Sequence, residues 1–448
     1  MRRPTELQRN RPIGIRAASI PGAFVLFIFF VGCAGQPTLM PTPNLYTNAL
    51  TNPFEKVPPA LRTTAVGLLY GTDRGPEKRP DAGLAYGTER SKTLAVGGCI
   101  VDFGDVTWGE LMQASLTRER KGEFPITMPY AFEQIRFPPP YMLATEAETL
   151  DVDDPWGGDL GGAVHATRKL TAEYLDRVPK KEVYLYIHGY NNTFEDAAVV
   201  IAQIWHFMGR EGLPAFYSWP AGFGGARGYF RDRESGEFTI FHLKTYLRTL
   251  AGTPGLEKLH IIAHSRGTDV ILTALRELHL ENGSDPEKTR KALKLGNLIL
   301  AAPDMDLEVA GQRVVAEMVH RIPERMTVYN SPDDKAIGLA SWLFGSIRRM
   351  GRLTIGLVTG REEKALEREP TLEIIEADVE TDVIGHSYFY SNPAVSSDVI
   401  LILRDNLDPG AENGRPLIKR GRSLWSITDD YPLSPKSRKR AAETESND

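Results

Sequence analysis

Residues 258–272 read KLHIIAHSRGTDVIL, in which an apolar β-type run passes directly into an amphipathic helical pattern. Ser265 stands at the junction, and the small residues Ala263 and Gly267 lie two positions before and after it. A serine in this setting is typical of a nucleophile elbow, a strained strand-to-helix turn that exposes the hydroxyl. A serine that only caps the helix opening at Thr268 would give the same local pattern. The elbow is favoured because candidate partners for the serine follow it in the chain.

Strand and helix patterns alternate on both sides of this stretch, which predicts an α/β protein. Helical patterns separate the apolar runs VYLYIHG (183–189), PAFYSW (214–219), NLILAAP (297–303), RMTVYN (325–330) and LEIIEADV (372–379). Such alternation predicts a mostly parallel sheet with helices on both faces. Functional residues are then expected at the carboxyl ends of the strands. Two earlier runs, TTAVGLLYGTD (63–73) and TLAVGGCIVDF (93–103), predict extra N-terminal strands, whereas residues 104–160 are expected to form surface loops.

A serine nucleophile needs a general base, and a histidine downstream of Ser265 is placed to be one. In the α/β-hydrolase fold the chain order is serine, then acid, then histidine. His386 follows the last predicted strand of the alternating run and is the predicted base. His188 and His264 are alternatives, but a packing role is expected for both.

The acid of such a triad should follow the strand between those of the serine and the histidine. The run RMTVYN ends in a turn that carries two neighbouring aspartates, of which Asp334 is the predicted acid and Asp333 the alternative. Asp304 and Asp306, after the preceding strand, are second-line candidates that could instead cap the helix that follows them. The acid would hold the histidine in one tautomer.

Backbone N–H groups are needed to bind the negative charge that develops on the substrate oxygen. The residue after the nucleophile, Arg266, is one predicted donor. The other is expected in the loop after VYLYIHG, at Tyr190 or Asn191, where Gly189 allows close approach of the backbone. Asn191 could also be a plain turn residue.

The N-terminus has the pattern of a bacterial export signal. Five arginines precede an apolar run over residues 23–31, and Phe30-Val-Gly-Cys33 resembles a lipobox, in which the cysteine is lipidated. We therefore expect a signal peptide over residues 1–32, and a lipidated Cys33 followed by a linker over 33–58. The alternative is an uncleaved anchor helix. Either arrangement places the remaining chain outside the cytoplasm, attached to a membrane of the cell envelope.

The remaining boundaries follow from composition. Residues 59–406 are predicted to form one α/β-hydrolase domain, with N-terminal strands and loops over 59–165 and a catalytic core over 166–406. Residues 407–448 are rich in Pro, Gly, Ser and charge and are expected to be a flexible tail.

Composition also excludes some classes of function. The 448 residues carry a net charge of −5, so no global positive field favours nucleic acid as a partner. Two cysteines, Cys33 and Cys99, cannot by themselves build a disulfide framework or a zinc site, and Cys99 is expected to be a buried apolar residue. The sequence has neither a nucleotide-binding fingerprint nor a metalloprotease motif. No metal and no cofactor is therefore expected.

Several motifs together resemble a bacterial α/β-hydrolase family known as domain of unknown function 900. They occur between about residues 60 and 402 and read YGTDR, YGTERS, IHGYNNTFEDAA, FYSWPA, RDRES, HIIAHSRGTDVIL, LAAPDMD, VYNSPDDKA and GHSYFYSNPAV. The resemblance implies the α/β-hydrolase fold and hydrolysis of an ester or related acyl bond. Family members commonly carry Met after the serine, where this chain has Arg266. The Gly-rich loop over residues 221–228 and the apolar segment 339–347 could shape the substrate pocket.

The sequence therefore predicts a serine hydrolase of the carboxylesterase or lipase-like kind, acting on a small-molecule or lipid ester. Acyl transfer by the same triad, with an alcohol or amine in place of water, is one alternative. A non-catalytic binding protein on this fold is another. The sequence indicates no oligomeric state.

Overall fold

The computed structural model describes residues 36–47, 52–79, 83–140, 160–338, 349–352, 364, 366, 368–381 and 385–433. The predicted signal peptide, Cys33, the apolar segment 339–347 and the end of the predicted tail lie outside these residues.

One mixed sheet of eleven strands organises the described chain. Its strands are β1 Ala65–Arg79, β2 Gly83–Asp102, β3 Thr127–Arg136, β4 Glu182–Ile187, β5 Leu213–Ser218, β6 Lys258–His264, β7 Leu295–Ala301, β8 Arg325–Asn330, β9 Leu372–Asp378, β10 Ile418–Lys419 and β11 Leu424–Thr428. Their order across the sheet is β10-β11-β9-β8-β7-β6-β4-β5-β1-β2-β3. Every pairing from β1 through β5, β4, β6, β7, β8 and β9 to β11 is parallel, and the pairings at both edges are antiparallel.

Helices cover both faces of this sheet. They are α1 Asn44–Thr47, α2 Trp108–Ser115, α3 Leu160–Leu175, α4 Phe194–Phe207, α5 Gly225–Ala251, α6 Gly267–Glu281, α7 Pro286–Leu293, α8 Leu307–Ala310, α9 Tyr388–Ser391 and α10 Pro393–Asp405. Helices α3, α5, α6 and α7 pack together as one group, and α1, α4 and α10 as another. All residues of β5, β7 and β8 are buried, as expected for strands covered on two sides. No helix among the described residues is long and apolar enough to cross a bilayer.

The predicted N-terminal strands are present, and they are longer than their apolar runs. β1 and β2 form an antiparallel hairpin, and β1 joins the parallel part of the sheet beside β5. Cys99 lies buried in β2, and this burial raises the pKa of its thiol.

The expectation of surface loops over residues 104–160 is corrected in part. Helix α2 begins with a capping box in which Thr107 and Glu110 bond each other's backbone N–H groups. β3 pairs with β2 at the sheet edge, where its alternating side chains are largely exposed. The strand contains Pro129 and exposes Tyr130 and Phe132, so its sequence lacks the apolar-in, polar-out alternation that predicts a half-buried strand.

The expected linker over 33–58 is also corrected where it is described. Leu39, Met40 and Tyr46 are buried against the domain. The guanidinium of Arg120 donates to the carbonyls of Leu39 and Met40 at 2.7 and 2.6 Å. The side-chain amide of Asn44 donates to the carbonyls of two residues near the C-terminal end of the described chain, Asp429 at 2.7 Å and Tyr431 at 2.8 Å.

The expected tail from residue 407 packs on the domain as far as residue 433, where the described chain ends, and it contributes β10 and β11 to the sheet. β11 pairs in parallel with β9, and Arg415, which precedes β10, is fully buried. The Arg415 guanidinium donates to both oxygens of Asp398, at 2.8 and 3.0 Å, and to Glu373 at 2.7 Å. Tyr431 donates to Asp398 at 2.5 Å. Ion pairing in the interior, invisible in the local composition, therefore fixes this segment.

Candidate active site

Ser265 occupies a sharp turn between β6 and α6. Its φ is +52°, in the left-handed region that non-glycine residues seldom adopt. A Cβ at Gly267 would lie 2.4 Å from the His188 carbonyl oxygen, and one at Gly189 would lie 2.7 Å from the Ser265 Cβ. Two glycines therefore let the turn pass close to the loop that follows β4, as a nucleophile elbow requires.

Hydrogen bonds on both sides hold the strained backbone of Ser265. Its N–H donates to the carbonyl of Ala301 at 2.9 Å, and its carbonyl accepts from the Thr268 hydroxyl at 2.6 Å. The N–H of Asp304 also donates to that carbonyl, at 3.2 Å. These hydrogen bonds hold the Ser265 backbone in place, and a strained backbone conformation persists only where the surrounding structure fixes it in this way.

His386 and Asp334 form a hydrogen-bonded pair. The imidazole Nδ1 lies 2.7 Å from Asp334 Oδ2, and the carboxylate is fully buried. The other carboxylate oxygen accepts from the N–H of Ile337 at 2.9 Å. Because the carboxylate accepts, Nδ1 carries the proton and the lone pair of the neutral ring is on Nε2.

The three alternative acids are either exposed or bonded to groups other than His386. Asp333 is exposed. Asp304 is buried in an ion pair with Arg349 and accepts from the hydroxyl of Tyr229. Asp306 caps α8 by accepting from two backbone N–H groups, the role weighed for it from the sequence. Of the four aspartates, the geometry places Asp334 against His386.

His264, one of the alternative bases, packs against His386. Its Nε2 lies 3.1 Å from the His386 carbonyl oxygen, and the two ring centroids are 4.6 Å apart. A carbonyl only accepts, so this nitrogen is the donor. Burial, followed by the neighbouring charge of His386, holds the pKa of His264 well below its usual value. It is a neutral ring that fixes the backbone of the loop bearing His386.

The loop after β4 contains Tyr190 and Asn191, the two candidates for the second oxyanion donor, and their backbone N–H groups differ. The N–H of Asn191 donates to Asp232 Oδ2 at 3.1 Å. It is therefore already committed to a carboxylate. This leaves Tyr190, whose hydroxyl is anchored on the Gly225 carbonyl at 2.9 Å, as the donor that the geometry favours. Arg266, the other predicted donor, directly precedes α6, so the positive end of the helix lies beside it.

The side chain of Arg266 is bonded within the protein. It forms an ion pair with Asp269 at 2.6 Å, and a long contact of 3.5 Å joins it to the Asp304 carbonyl. Burial alone would lower the pKa of Arg266, but the charges of Asp269, Tyr229 and Asp304 raise it above its usual value. The charge at the position after the serine is thus neutralised within the protein.

A comparison with protein families agrees with this geometry. The profile of an α/β-hydrolase family of unknown function, DUF900, matches residues 164–404, more than half of the chain. The chain belongs to this family. The fold is accordingly the α/β-hydrolase fold expected from the sequence. None of the curated proteins compared with the chain matches it.

The DUF900 match spans the elbow, Asp334, His386 and the loop after β4, but it begins after β1. Within the match, Asp232 was not singled out from the sequence. It is buried and accepts from the N–H groups of Asn191 and Gly222, both at 3.1 Å. Burial raises the pKa of its carboxyl against these hydrogen bonds. Its place in the charged run RDRES, after the Gly-rich loop, was the available signal.

Asp232 also contacts the Gly-rich loop over residues 221–228, which the sequence suggested could shape the substrate pocket. Because α5 begins at Gly225, only residues 221–224 of this Gly-rich stretch precede the helix. One carboxylate ties this loop to the loop that bears Tyr190. We find no group of three or more His, Cys, Asp or Glu side chains arranged to hold a metal ion in the described part of the chain.

Proposed function

We propose that this DUF900 protein is a serine hydrolase that cleaves an ester or related acyl bond, with Ser265 as nucleophile, His386 as base and Asp334 as acid. One observation carries the proposal: a serine at positive φ between β6 and α6, followed in the chain by a histidine bonded to a buried aspartate at 2.7 Å. A small-molecule or lipid ester is the proposed substrate class.

The reaction follows from these roles. His386 Nε2 accepts the Ser265 proton as Oγ attacks the acyl carbonyl carbon, and the carbonyl π electrons move to oxygen. The N–H groups of Arg266 and Tyr190 bind that oxyanion. The intermediate collapses to an acyl-serine, and the alcohol leaves with the proton from His386. Water, deprotonated by His386, then releases the acid and restores the serine. Asp334 stabilises the imidazolium in both halves of the cycle.

A fluorophosphonate probe tests for an activated serine in the purified full-length protein. We expect the wild type to be labelled, Ser265→Ala to be unlabelled and His386→Ala to be labelled far more slowly. Ser284→Ala is a matched control, because Ser284 is an exposed serine that also has positive φ, at +56°. It should label like the wild type.

Hydrolysis of p-nitrophenyl esters of increasing chain length then gives the acyl preference. A folded wild type that neither labels nor hydrolyses any ester would overturn the proposal and favour a binding protein on this fold. Labelling with transfer of the acyl group to an added alcohol, in preference to water, would identify an acyltransferase.

We also propose that the protein is exported and anchored to an envelope membrane through a lipid on Cys33. The arginine-rich start, the apolar run over 23–31 and the position of Cys33 after it support this. Metabolic labelling with an alkynyl palmitate tests it. Cys33→Ser should abolish incorporation, and Cys99→Ser, which changes a buried thiol, should not. Incorporation that survives Cys33→Ser would contradict the proposal.

A further inference from the structure

Arg74 lies in a buried part of β1, and every nitrogen of its guanidinium group donates hydrogen bonds to other groups of the protein. It is 1% exposed. The Nε donates to Ser218 Oγ at 2.7 Å, and Nη1 donates to the carbonyls of Gly87 and Ala221 at 3.0 and 2.8 Å. The Nη2 donates to His188 Nε2 at 3.2 Å and to the Asn192 carbonyl at 2.7 Å. All of the N–H groups of an arginine are therefore bonded.

None of these acceptors is a carboxylate, so Arg74 places a positive charge in the interior without a directly bonded counter-charge. Burial lowers the pKa of Arg74 to about 10, and the carboxylates of Glu195, Asp232 and Asp73 oppose that shift from further away. The group remains protonated at neutral pH. A charge in a water-excluded site acts more strongly on its surroundings than the same charge in water.

Two of these bonds bracket the proposed oxyanion donor. His188 is the first residue of the loop after β4, Asn192 directly precedes Thr193, the N-cap of α4, and Tyr190 lies midway between His188 and Asn192. The His188 ring is neutral, because its Nε2 accepts from Arg74 and its Nδ1 donates to the Gly189 carbonyl at 2.9 Å. Burial, then the charge of Arg74, holds the pKa of His188 well below its usual value. The indole of Trp219 donates to the His188 carbonyl at 2.7 Å and fixes the same end.

We propose that Arg74 is the positioning residue of the oxyanion loop: it fixes His188 and Asn192 so that the Tyr190 N–H faces the reacting carbonyl, and it supplies positive potential behind that N–H. This inference rests on the proposed serine-hydrolase function. Arg74 acts through the loop and does not touch the substrate. Its effect is therefore confined to the oxyanionic transition state and should leave substrate binding nearly unchanged.

Arg210 offers a closely matched control. It is also fully buried, donates to the Nδ1 of His206 at 2.9 Å, and donates to the carbonyls of Leu61 and Thr63 at 2.5 and 2.8 Å. Burial lowers the pKa of Arg210 to about 9. Loss of its guanidinium costs the same kinds of bonds as loss of Arg74, but these bonds hold the segment that precedes β1 and not the oxyanion loop.

The experiment compares R74K and R210K with the wild type by kcat and KM on p-nitrophenyl butyrate and by inhibition with an alkyl trifluoromethyl ketone. Addition of Ser265 to the ketone produces an oxyanion in a tetrahedral adduct. For R74K we expect kcat and the affinity for the ketone to fall together, by about 10- to 100-fold, with KM changed less than about threefold. R210K should match the wild type in all three quantities.

Equal losses in R74K and R210K, or a folded R74K with wild-type kcat and ketone affinity, would overturn the inference. If R74K does not fold, S218A decides, because it retains the guanidinium but removes the acceptor of Arg74 Nε, a hydroxyl that also lies 3.1 Å from His188 Nε2 in the loop. We expect S218A to lose about two- to fivefold in both kcat and ketone affinity, since one of several bonds that hold the loop is lost. An S218A variant equal to the wild type would then overturn the inference. Failure of the proposed function is separate: it would show in the wild type itself, as no hydrolysis and no fluorophosphonate labelling.

Discussion

The imidazole of His264 donates from Nε2 to the backbone carbonyl of His386 across 3.1 Å, so the residue before the nucleophile holds the residue proposed as its base. We predict that His264→Phe, which retains a ring but removes the donor, lowers kcat about tenfold or more, because a misplaced base is costly. His260→Phe is the control: His260 is also buried in β6, and its Nδ1 accepts from the N–H of Asn297 at 3.1 Å, away from His386. The His260→Phe variant should have a lower free energy of unfolding but an unchanged kcat. Equal kcat in the two variants would contradict the positioning role.

The two aspartates on the turn after β8 give a second prediction. Asp334→Asn should lower kcat by about 10³ to 10⁴, because the imidazolium loses its carboxylate and the tautomer is no longer enforced. Asp333→Asn should stay within about twofold of the wild type, since that side chain is exposed. Steady-state ester hydrolysis measures both. The reverse pattern would assign the acid to Asp333.

The close passage of the elbow beneath the loop after β4 gives a third prediction. In Gly267→Ala the new Cβ would meet the His188 carbonyl at 2.4 Å, and backbone cannot yield as a side-chain end can. We expect a loss of about 1–3 kcal/mol in the free energy of unfolding and weaker labelling of Ser265. Gly311→Ala is the control, because Gly311 has helical φ and open space around it. Denaturant unfolding should show unchanged or slightly raised stability there. If Gly267→Ala has the stability and the Ser265 labelling of the wild type, the elbow has room for a Cβ at this position.

Three buried neutral histidines predict how stability depends on pH. Burial is the main cause that holds the pKa values of His188, His206 and His264 well below the ordinary value. In the unfolded chain each binds a proton as the pH falls through about 6.5. The unfolded state then binds more protons, so the free energy of unfolding decreases below about pH 6.5, by up to about 1.4 kcal/mol per pH unit for each histidine.

Urea unfolding of wild type and His206→Gln at about pH 7.5, 6.5 and 5.5 isolates one of these contributions. Glutamine can still accept from Arg210 and donate to Ser115, the two side-chain partners of His206. The variant should lose stability less steeply than the wild type as pH falls. An equal or steeper slope would mean that His206 is not neutral in the fold.

Arg415 gives a prediction for the segment after α10. Arg415→Met would leave Asp398 without its buried counter-charge, whereas Glu373 would keep its ion pair with Arg325 at 3.0 Å. We expect a loss of about 3–5 kcal/mol in the free energy of unfolding. Arg420→Met, which changes an exposed residue of the same segment, should cost less than about 0.5 kcal/mol. A mild effect of Arg415→Met would indicate that β11 is held mainly by apolar packing.

The sequence predicts those parts of the fold that carry their own periodicity. The run RMTVYN matches β8 residue for residue, and the helical pattern that begins at Phe194 matches α4. The apolar residues of these elements are buried because of their own spacing, without reference to distant partners. The candidate triad could be selected for the same reason, since the order of strands fixes which residues meet at the carboxyl edge of the sheet.

Arg74 and Arg415 mark what the sequence could not reveal. Each is a single arginine near polar residues, a pattern that usually indicates a solvated surface. Their burial depends on acceptors that lie far away in the chain, such as Asn192 for Arg74 and Glu373 for Arg415. Only tertiary structure brings those acceptors together. For this reason the local composition of the segment after α10 predicts a tail, although the segment is part of the domain.

The bonds from Asn44 to Asp429 and Tyr431 join residues 385 and 387 positions apart, which has a consequence for how the chain is made. A contact of this separation cannot form until nearly all of the chain has left the ribosome. At about 5–20 residues per second, synthesis of that intervening stretch takes roughly 20 to 80 s. During this interval the apolar residues around Asn44 have no finished surface on which to pack. That is the period in which a chaperone can engage the nascent chain.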